Sequence, residues 1–122
     1  MFIAAIDARM GEVYFAHYQL IGDLMTVVDE EVVIKPADLL ALELTVLENA
    51  ALVGSGWQAY PELLEYFKIN TLFDIEFPSS KYMLDQVCFD TALGATVQPE
   101  LATPVYLRDK VTWKNYQVAK IY

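Results

Sequence analysis

Cysteine, histidine and basic residues are scarce in this 122-residue sequence, and each shortage excludes a class of protein. The single cysteine, Cys88, cannot form an internal disulfide, which fits a reducing compartment. Eight Lys and Arg residues stand against seventeen Asp and Glu residues, so the formal net charge is −9. Nucleic-acid-binding proteins need clustered basic residues, and direct nucleic-acid binding is therefore disfavoured. The acidity favours solubility or docking onto a basic protein.

Long apolar runs are also missing. No uninterrupted run approaches the roughly 18 residues that a membrane helix needs, and no basic segment precedes an apolar core at the N-terminus. We therefore expect no membrane association and a cytoplasmic location. The length predicts one domain, residues 1–122. Hydrophobic residues make up 56% of the chain, which is enough for a core and leaves apolar surface for a partner.

The only histidine, His17, restricts the available chemistry. An ordinary zinc site needs further ligands of this type. A serine triad would have to use His17, and no serine lies in a Gly-x-Ser-x-Gly motif. Alternation places His17 on a strand face with Val13 and Phe15, which favours a partly buried or surface histidine. Cys88 is predicted to be an inert core thiol. We expect no metal, no cofactor and no catalytic residue.

The hydrophobic pattern predicts an α/β fold with a mixed sheet in the order βββαβαβα. A buried strand at residues 2–6 and a half-buried strand at 13–18 form a hairpin through Gly11. A third strand covers residues 24–28 and 32–34, with a break at the acidic residues between them. The next elements are a helix from Pro36 to about Asn49, a strand at 50–53, a helix from Pro61 and a strand at 72–77. A helix of about fifteen residues then runs from Ser79 or Ser80 to Gly94, and an extended aromatic tail follows it. Ribonuclease-H-like domains and each half of the actin-like ATPase fold have this order.

The hairpin turn is the first candidate site, because it places Asp7 and Arg9 at the mouth of a sheet, where many α/β folds bind ligands. One interpretation is a structural turn held by an Asp7–Arg9 or Arg9–Glu12 ion pair. The other is a residual ligand or partner contact at Asp7, Arg9, Gly11 and Glu12.

Gly54-Ser55-Gly56 is the second candidate. It is either a strand-to-helix turn that needs small residues, or a place where adenosine or another backbone approaches closely. It is too short for a Walker loop, and no lysine follows it.

Large aromatic residues in the tail form a third candidate. Tyr106 and Trp113 either cover the domain's own core or contact a partner. The paired carboxylates Glu30 with Glu31, and Asp85 with Asp90, are explained by a solvated acidic surface rather than by acid–base catalysis.

Three blocks together resemble one known family. They are Ile6-Asp7-Ala8-Arg9-Met10-Gly11-Glu12-Val13-Tyr14, Val53-Gly54-Ser55-Gly56-Trp57-Gln58-Ala59-Tyr60-Pro61, and Pro104-Val105-Tyr106-Leu107-Arg108-Asp109-Lys110-Val111-Thr112-Trp113-Lys114. They are similar to blocks in the C-terminal half of the TsaB (YeaZ) family, in the same order. The resemblance implies an actin-like ATPase fold of two halves, of which this chain is the second.

The resemblance also implies a function. TsaB proteins are non-catalytic scaffold subunits of the complex that makes N6-threonylcarbamoyladenosine (t6A) on tRNA, where they support TsaD and offer a surface to the small ATPase TsaE. TsaD would bind mainly through the first half, which is absent here, and a homodimer is an open alternative. Asp7 and Gly11 match the place where active members of the wider actin-like superfamily face nucleotide phosphates. Gly54 and Gly56 are further candidate nucleotide-site positions, and the candidate partner contacts are Arg9, Glu12, Tyr106 and Trp113. The alternative function is a self-standing ATP-binding enzyme, a kinase or ATPase, of the actin-like superfamily.

Overall fold

An antiparallel hairpin forms the centre of the molecule in a computed structural model that describes residues 1–42 and 49–108. Strand β1 (Phe2–Arg9) pairs with strand β2 (Glu12–Ile21) in a register from Phe2 opposite Tyr18 to Asp7 opposite Val13. The alternating apolar residues of both strands face one side of the sheet, as their period of two requires. The predicted hairpin is confirmed.

The third predicted strand is divided in two, and both parts pair with β2. Strand β3 (Leu24–Val27) lies antiparallel to residues 18–21, and strand β4 (Val32–Ile34) lies antiparallel to residues 13–15. The predicted break at residues 29–31 separates them. Both carboxylates at the ends of this break bond to β2, because Asp29 contacts His17 and Glu31 contacts Tyr18.

Two parallel strands complete the sheet on the other side of β1. Strand β5 (Ala51–Val53) pairs with β1, and strand β6 (Thr71–Leu72) pairs with β5, which gives the order β3-β2-β1-β5-β6. The mixed sheet is as predicted. The strand predicted at 72–77 is wrong in extent: β6 ends at Leu72, and beyond it the amide of Ile75 donates to the carbonyl of Phe73 at 2.8 Å in a tight turn.

Four α-helices lie within the described residues. They are α1 (Pro36–Ala41), α2 (Gly56–Ala59), α3 (Pro61–Tyr66) and α4 (Leu84–Ala92). Proline opens α1 and α3, where its missing amide hydrogen costs nothing. The single turn α2 was not predicted. The rest of the first predicted helix falls on residues 43–48, outside the described part of the chain.

The core lies between one face of the sheet and helices α1, α2 and α3. Ile3, Val13 and Phe15 come from the sheet, and Trp57 and Phe67 pack against them from the helical side. The rings of Trp57 and Phe67 meet edge to face, 5.5 Å between centroids. Complete burial of each such side chain contributes about 1.5–3 kcal/mol. The indole nitrogen of Trp57 donates to the carbonyl of Val53 at 2.9 Å, so its polar atom is satisfied.

Helix α4 lies outside this core. A short 3-10 turn (Ser80–Met83) precedes it and Gly94, with φ of 68°, follows it, so the predicted helix position is confirmed. Its burial was wrongly predicted: the helix has no buried residue, and Cys88 is an exposed thiol rather than a core thiol. The apolar spacing of α4 identified a face but not what covers it. After a 3-10 turn (Pro99–Leu101), residues 102–108 have no regular structure.

Candidate functional site

Three successive residues of positive φ form the β1–β2 turn. The φ angles are 64° at Arg9, 58° at Met10 and 76° at Gly11. Hairpin turns of two residues favour positive φ, which glycine and asparagine adopt easily, whereas other side chains are strained there. Glycine is present only at the third position. The pairing shifts by one residue between Asp7 and Arg9, so the strand is irregular where it enters the turn.

The Asp7 side chain stabilises this turn from inside. Its Oδ1 accepts a hydrogen bond from the backbone amide of Arg9 at 2.9 Å. The hydroxyl of Tyr60 lies 3.2 Å from the same oxygen and 3.0 Å from the carbonyl oxygen of Glu12. The amide of Asp7 donates to the hydroxyl of Ser55 at 3.2 Å. Asp7 therefore fixes the turn to the α2–α3 region.

Arg108 stabilises the same turn from outside. Its Nη2 donates to Oε2 of Glu12 at 2.6 Å and to the carbonyl oxygen of Ala8 at 3.0 Å, and it lies 3.4 Å from the carbonyl oxygen of Arg9. The Arg108 and Glu12 side chains are only 16% and 27% exposed. Charge-assisted bonds of this kind are roughly twice as strong as neutral ones. The tail is thereby attached to the hairpin.

Of the two ion pairs considered from the sequence, the structure contains the Asp7–Arg9 pair, at 3.9 Å. Its Arg9 side chain is 88% exposed, and exposed pairs contribute about 0–1 kcal/mol. Glu12 pairs with Arg108 instead. The turn geometry is therefore held by Asp7 and Arg108, and the Arg9 side chain contributes little to it.

Gly54 and Gly56 lie behind the turn, against strand β1. A Cβ atom on Gly54, whose φ is 108°, would overlap the carbonyl oxygen of Ala5. A Cβ atom on Gly56 would lie 2.9 Å from the same carbonyl group and from the Val13 side chain. The backbone that approaches these glycines is that of β1, and the Gly54-Ser55-Gly56 segment joins β5 to α2. Their role as nucleotide-site positions, with Asp7 and Gly11, stays a prediction.

His17 lies on the core face with Val13 and Phe15, and it is buried, at 6% exposed. Its Nδ1 lies 2.8 Å from Oδ2 of Asp29. Nε2 is buried and has no hydrogen-bond partner among the described residues. No described serine or cysteine is therefore positioned by this imidazole as a nucleophile.

Two tyrosines near these groups have raised pKa values. Burial, followed by the hydrogen bond to Glu31 and its charge, raises the pKa of Tyr18 to about 12. Burial, followed by the charge of Asp7 and the hydrogen bond to it, raises the pKa of Tyr60. Both hydroxyls therefore stay protonated at neutral pH and act as donors.

The tail carries the remaining candidates. Tyr106 is 78% exposed, and it lines a cavity of about 220 Å³ with Tyr14, Val105, Leu107 and Arg108. Trp113 lies outside the described residues. The structure thus brings together Asp7, Arg9, Gly11 and Glu12, with Gly54 and Gly56 behind them.

The contacts of Tyr60 and Arg108 with this turn were not predicted from the sequence. A single arginine in an extended segment does not indicate which distant carboxylate it will meet.

Within the described ranges, the His, Cys, Asp and Glu side chains form no group of three or more that could hold a metal ion. No helix in that part of the chain is long and apolar enough to cross a bilayer.

Comparison with known proteins shows what the whole chain is similar to. No protein-family model matches the chain. The chain is 40% identical over 115 residues to the tRNA threonylcarbamoyladenosine biosynthesis protein TsaB of Escherichia coli. It is 33% identical over 124 residues to the TsaB protein of Haemophilus influenzae. Each match covers 93% of this chain and 50% of the TsaB protein, so the chain spans about half the length of these relatives.

The resemblance to TsaB is thereby confirmed. Solved structures agree with it. YeaZ of Pseudomonas aeruginosa matches with a TM-score of 0.68 and 32% identity over 85% of this chain and 47% of that chain. A Pseudomonas aeruginosa protein described as similar to peptidase YEAZ matches with a TM-score of 0.68 and 31% identity, over 88% of this chain and 49% of its own. The α/β fold with a mixed sheet matches that of these YeaZ structures and is consistent with an actin-like, ribonuclease-H-like fold.

Proposed function

We propose that residues 1–122 correspond to the second half of a TsaB-like protein and act in the cytoplasm as a non-catalytic scaffold of the t6A-forming complex. In this role the chain supports TsaD and offers a surface to a TsaE-like ATPase, while TsaD carries the tRNA. The observation that carries the proposal is the 40% identity over 115 residues to a protein named for tRNA threonylcarbamoyladenosine biosynthesis.

Exposed apolar side chains support a role in protein contact. On α4 and after it, several large side chains are more than 60% exposed: Leu84, Leu93, Val97, Leu101, Val105 and Tyr106. Scattered exposed apolar residues are ordinary, but contiguous ones mark interaction surfaces. Arg9, Glu12 and Tyr106 are the contact candidates in the described part of the chain, together with Trp113 beyond it. A net charge of −9 also fits a subunit that leaves tRNA binding to a partner.

The test uses the natural protein that carries this chain, tagged at its chromosomal locus. We expect depletion to lower the t6A content of cellular tRNA, measured by mass spectrometry of nucleosides, and TsaD to co-purify with the tagged protein. Unchanged t6A on depletion, with no TsaD recovered, would contradict the proposal.

An ATP·Mg²⁺ titration of the same protein distinguishes the scaffold function from the enzyme alternative. Binding that is lost in Asp7→Ala, without a role in t6A formation, would favour an actin-like kinase or ATPase.

A further inference from the structure

The backbone at the tip of the β1–β2 turn is strained. Arg9 and Met10 both have positive φ, although neither is a residue that adopts this conformation easily. A strained backbone conformation persists only where the surrounding structure over-determines it, and such strain is concentrated at functional sites. Hydrogen bonds from Asp7 and Arg108 over-determine this turn from two sides.

The burial of Arg108 is a second unfavourable feature of the turn. Its side chain is withdrawn from water, and its Nε is buried with no hydrogen-bond partner in the described part of the chain. An unsatisfied buried donor is unfavourable. In return, one guanidinium contacts the carbonyl groups of Ala8 and Arg9, the Glu12 carboxylate and, through Nη1 at 3.6 Å, the sulfur of Met10. The two carbonyl contacts fix the backbone around the tip, and the other two hold side chains beside it.

The fixed tip exposes two side chains of defined chemistry. The Arg9 side chain is 88% exposed, and Met10 is 55% exposed. Arginine binds carboxylates with two parallel hydrogen bonds, and methionine fits apolar pockets of varied shape. Both residue types are enriched in protein interfaces. Of the neighbouring acidic groups, Glu12 is paired with Arg108, and Asp7 accepts from the Arg9 amide and lies 3.9 Å from the Arg9 guanidinium in a weak exposed pair.

We propose that Arg9 and Met10 form a docking tip for a protein surface that has an apolar socket edged by carboxylates, and that Arg108 is the positioning residue for this tip. The proposal rests on the proposed function only for the identity of the partners. A protein is favoured over RNA because the tip pairs one cation with one apolar side chain in a chain of net charge −9.

The test measures binding of the natural full-length protein to purified TsaD and to the TsaE-like ATPase of the same organism, at low and high salt. Arg9→Asn and Met10→Asn remove the side-chain chemistry, while asparagine still tolerates positive φ. Arg108→Lys leaves both tip side chains in place but replaces the guanidinium fork with a single ammonium group. Lys35→Gln removes one exposed positive charge elsewhere and serves as the control.

We expect each tip variant to weaken binding of one partner by about tenfold or more. Arg9→Asn also reduces the salt dependence of binding, whereas Met10→Asn leaves it unchanged. Arg108→Lys weakens the same partner and accelerates trypsin cleavage after Arg9, which reports the order of the turn. Lys35→Gln binds normally.

Normal binding by both tip variants, with both partners still bound by the wild type, would overturn the docking tip. Unchanged trypsin cleavage and binding in Arg108→Lys would overturn the positioning role. Loss of tRNA retention in Arg9→Asn without loss of any protein partner would show an RNA contact instead.

If the wild type binds neither partner, the proposed function fails. The docking tip is then tested separately by photo-crosslinking in cells, with the crosslinker placed at position 10. A crosslink to an acidic surface of an identified protein, lost in Arg108→Lys, supports the tip. Crosslinking no greater than from position 23 in the β2–β3 turn overturns it.

Discussion

Arg108 and Glu12 are 96 positions apart in the sequence, yet Nη2 of one lies 2.6 Å from Oε2 of the other. This contact joins the irregular segment after α4 to the first turn of the sheet. The pair is largely withdrawn from water, since the two side chains are 16% and 27% exposed. It therefore links the two ends of the described chain electrostatically.

Removing the arginine should destabilise the fold measurably. Arg108→Met leaves the Glu12 carboxylate and two carbonyl groups without their donor, so we expect the free energy of unfolding to fall by about 1–3 kcal/mol. Urea denaturation monitored by Trp fluorescence measures the change. The exposed Lys68–Glu65 pair provides the control, because Lys68→Met should change stability by less than about 0.5 kcal/mol. Equal changes in the free energy of unfolding for both variants would show that the Arg108 contact adds no more stability than the exposed pair does.

Gly54 should tolerate no side chain. In Gly54→Ala the new Cβ atom overlaps the Ala5 carbonyl oxygen at a φ that disfavours L-residues, and we expect a loss of about 3 kcal/mol or more. Gly22 is the matched control, since its φ is also positive, at 62°, but no atom lies within 4 Å of the added Cβ. Gly22→Ala should cost only about 1 kcal/mol. Thermal unfolding of both variants decides the comparison, and similar costs would contradict the predicted overlap.

Alkaline pH should destabilise the fold through Tyr18. Because its folded pKa is raised to about 12 from the ordinary 10.0, the folded state holds the phenol proton more tightly than the unfolded state does. The resulting stability is fully present below about pH 10 and is lost as the pH rises through about 12. Tyr18→Phe should flatten this decline, and its absorbance titration should lack the tyrosine transition near pH 12. An unchanged titration would assign that transition to another tyrosine.

The Cys88 thiol should react in the folded protein. It is exposed on α4, so we expect Ellman's reagent to modify it under native conditions at a rate close to that in urea. Cys88→Ser provides the blank. Protection of more than about a hundredfold in the folded state would mean that α4 is covered in solution.

Local sequence signals were sufficient to predict the hairpin, but not the distant residues that contact it. The apolar run at residues 2–6, the alternation at 13–18 and the glycine at position 11 predicted β1, β2 and their turn, because all three signals act between neighbours along the chain. The acidic break before Val32 was found in the same way. The Arg108–Glu12 contact was not predicted, since nothing in either segment specifies a partner 96 residues away.

Burial was the other property that local pattern could not supply. The apolar positions of α4 resemble those of a core helix, but a helical period shows only that a face exists. The single helical turn at Gly56–Ala59 was hidden for a related reason, because Pro61 gave a stronger helix-start signal immediately after it.

The exposure of α4 has a consequence for its local folding free energy. A nine-residue helix that buries no side chain must rely on its own backbone hydrogen bonds, and isolated helices shorter than about 12–15 residues are only marginally populated in water. Its amides should therefore exchange with deuterium far sooner than those of β1 and β2 in the core. A surface that covered α4 would stabilise the helix as well as contact it. Binding and helix formation would therefore be thermodynamically coupled.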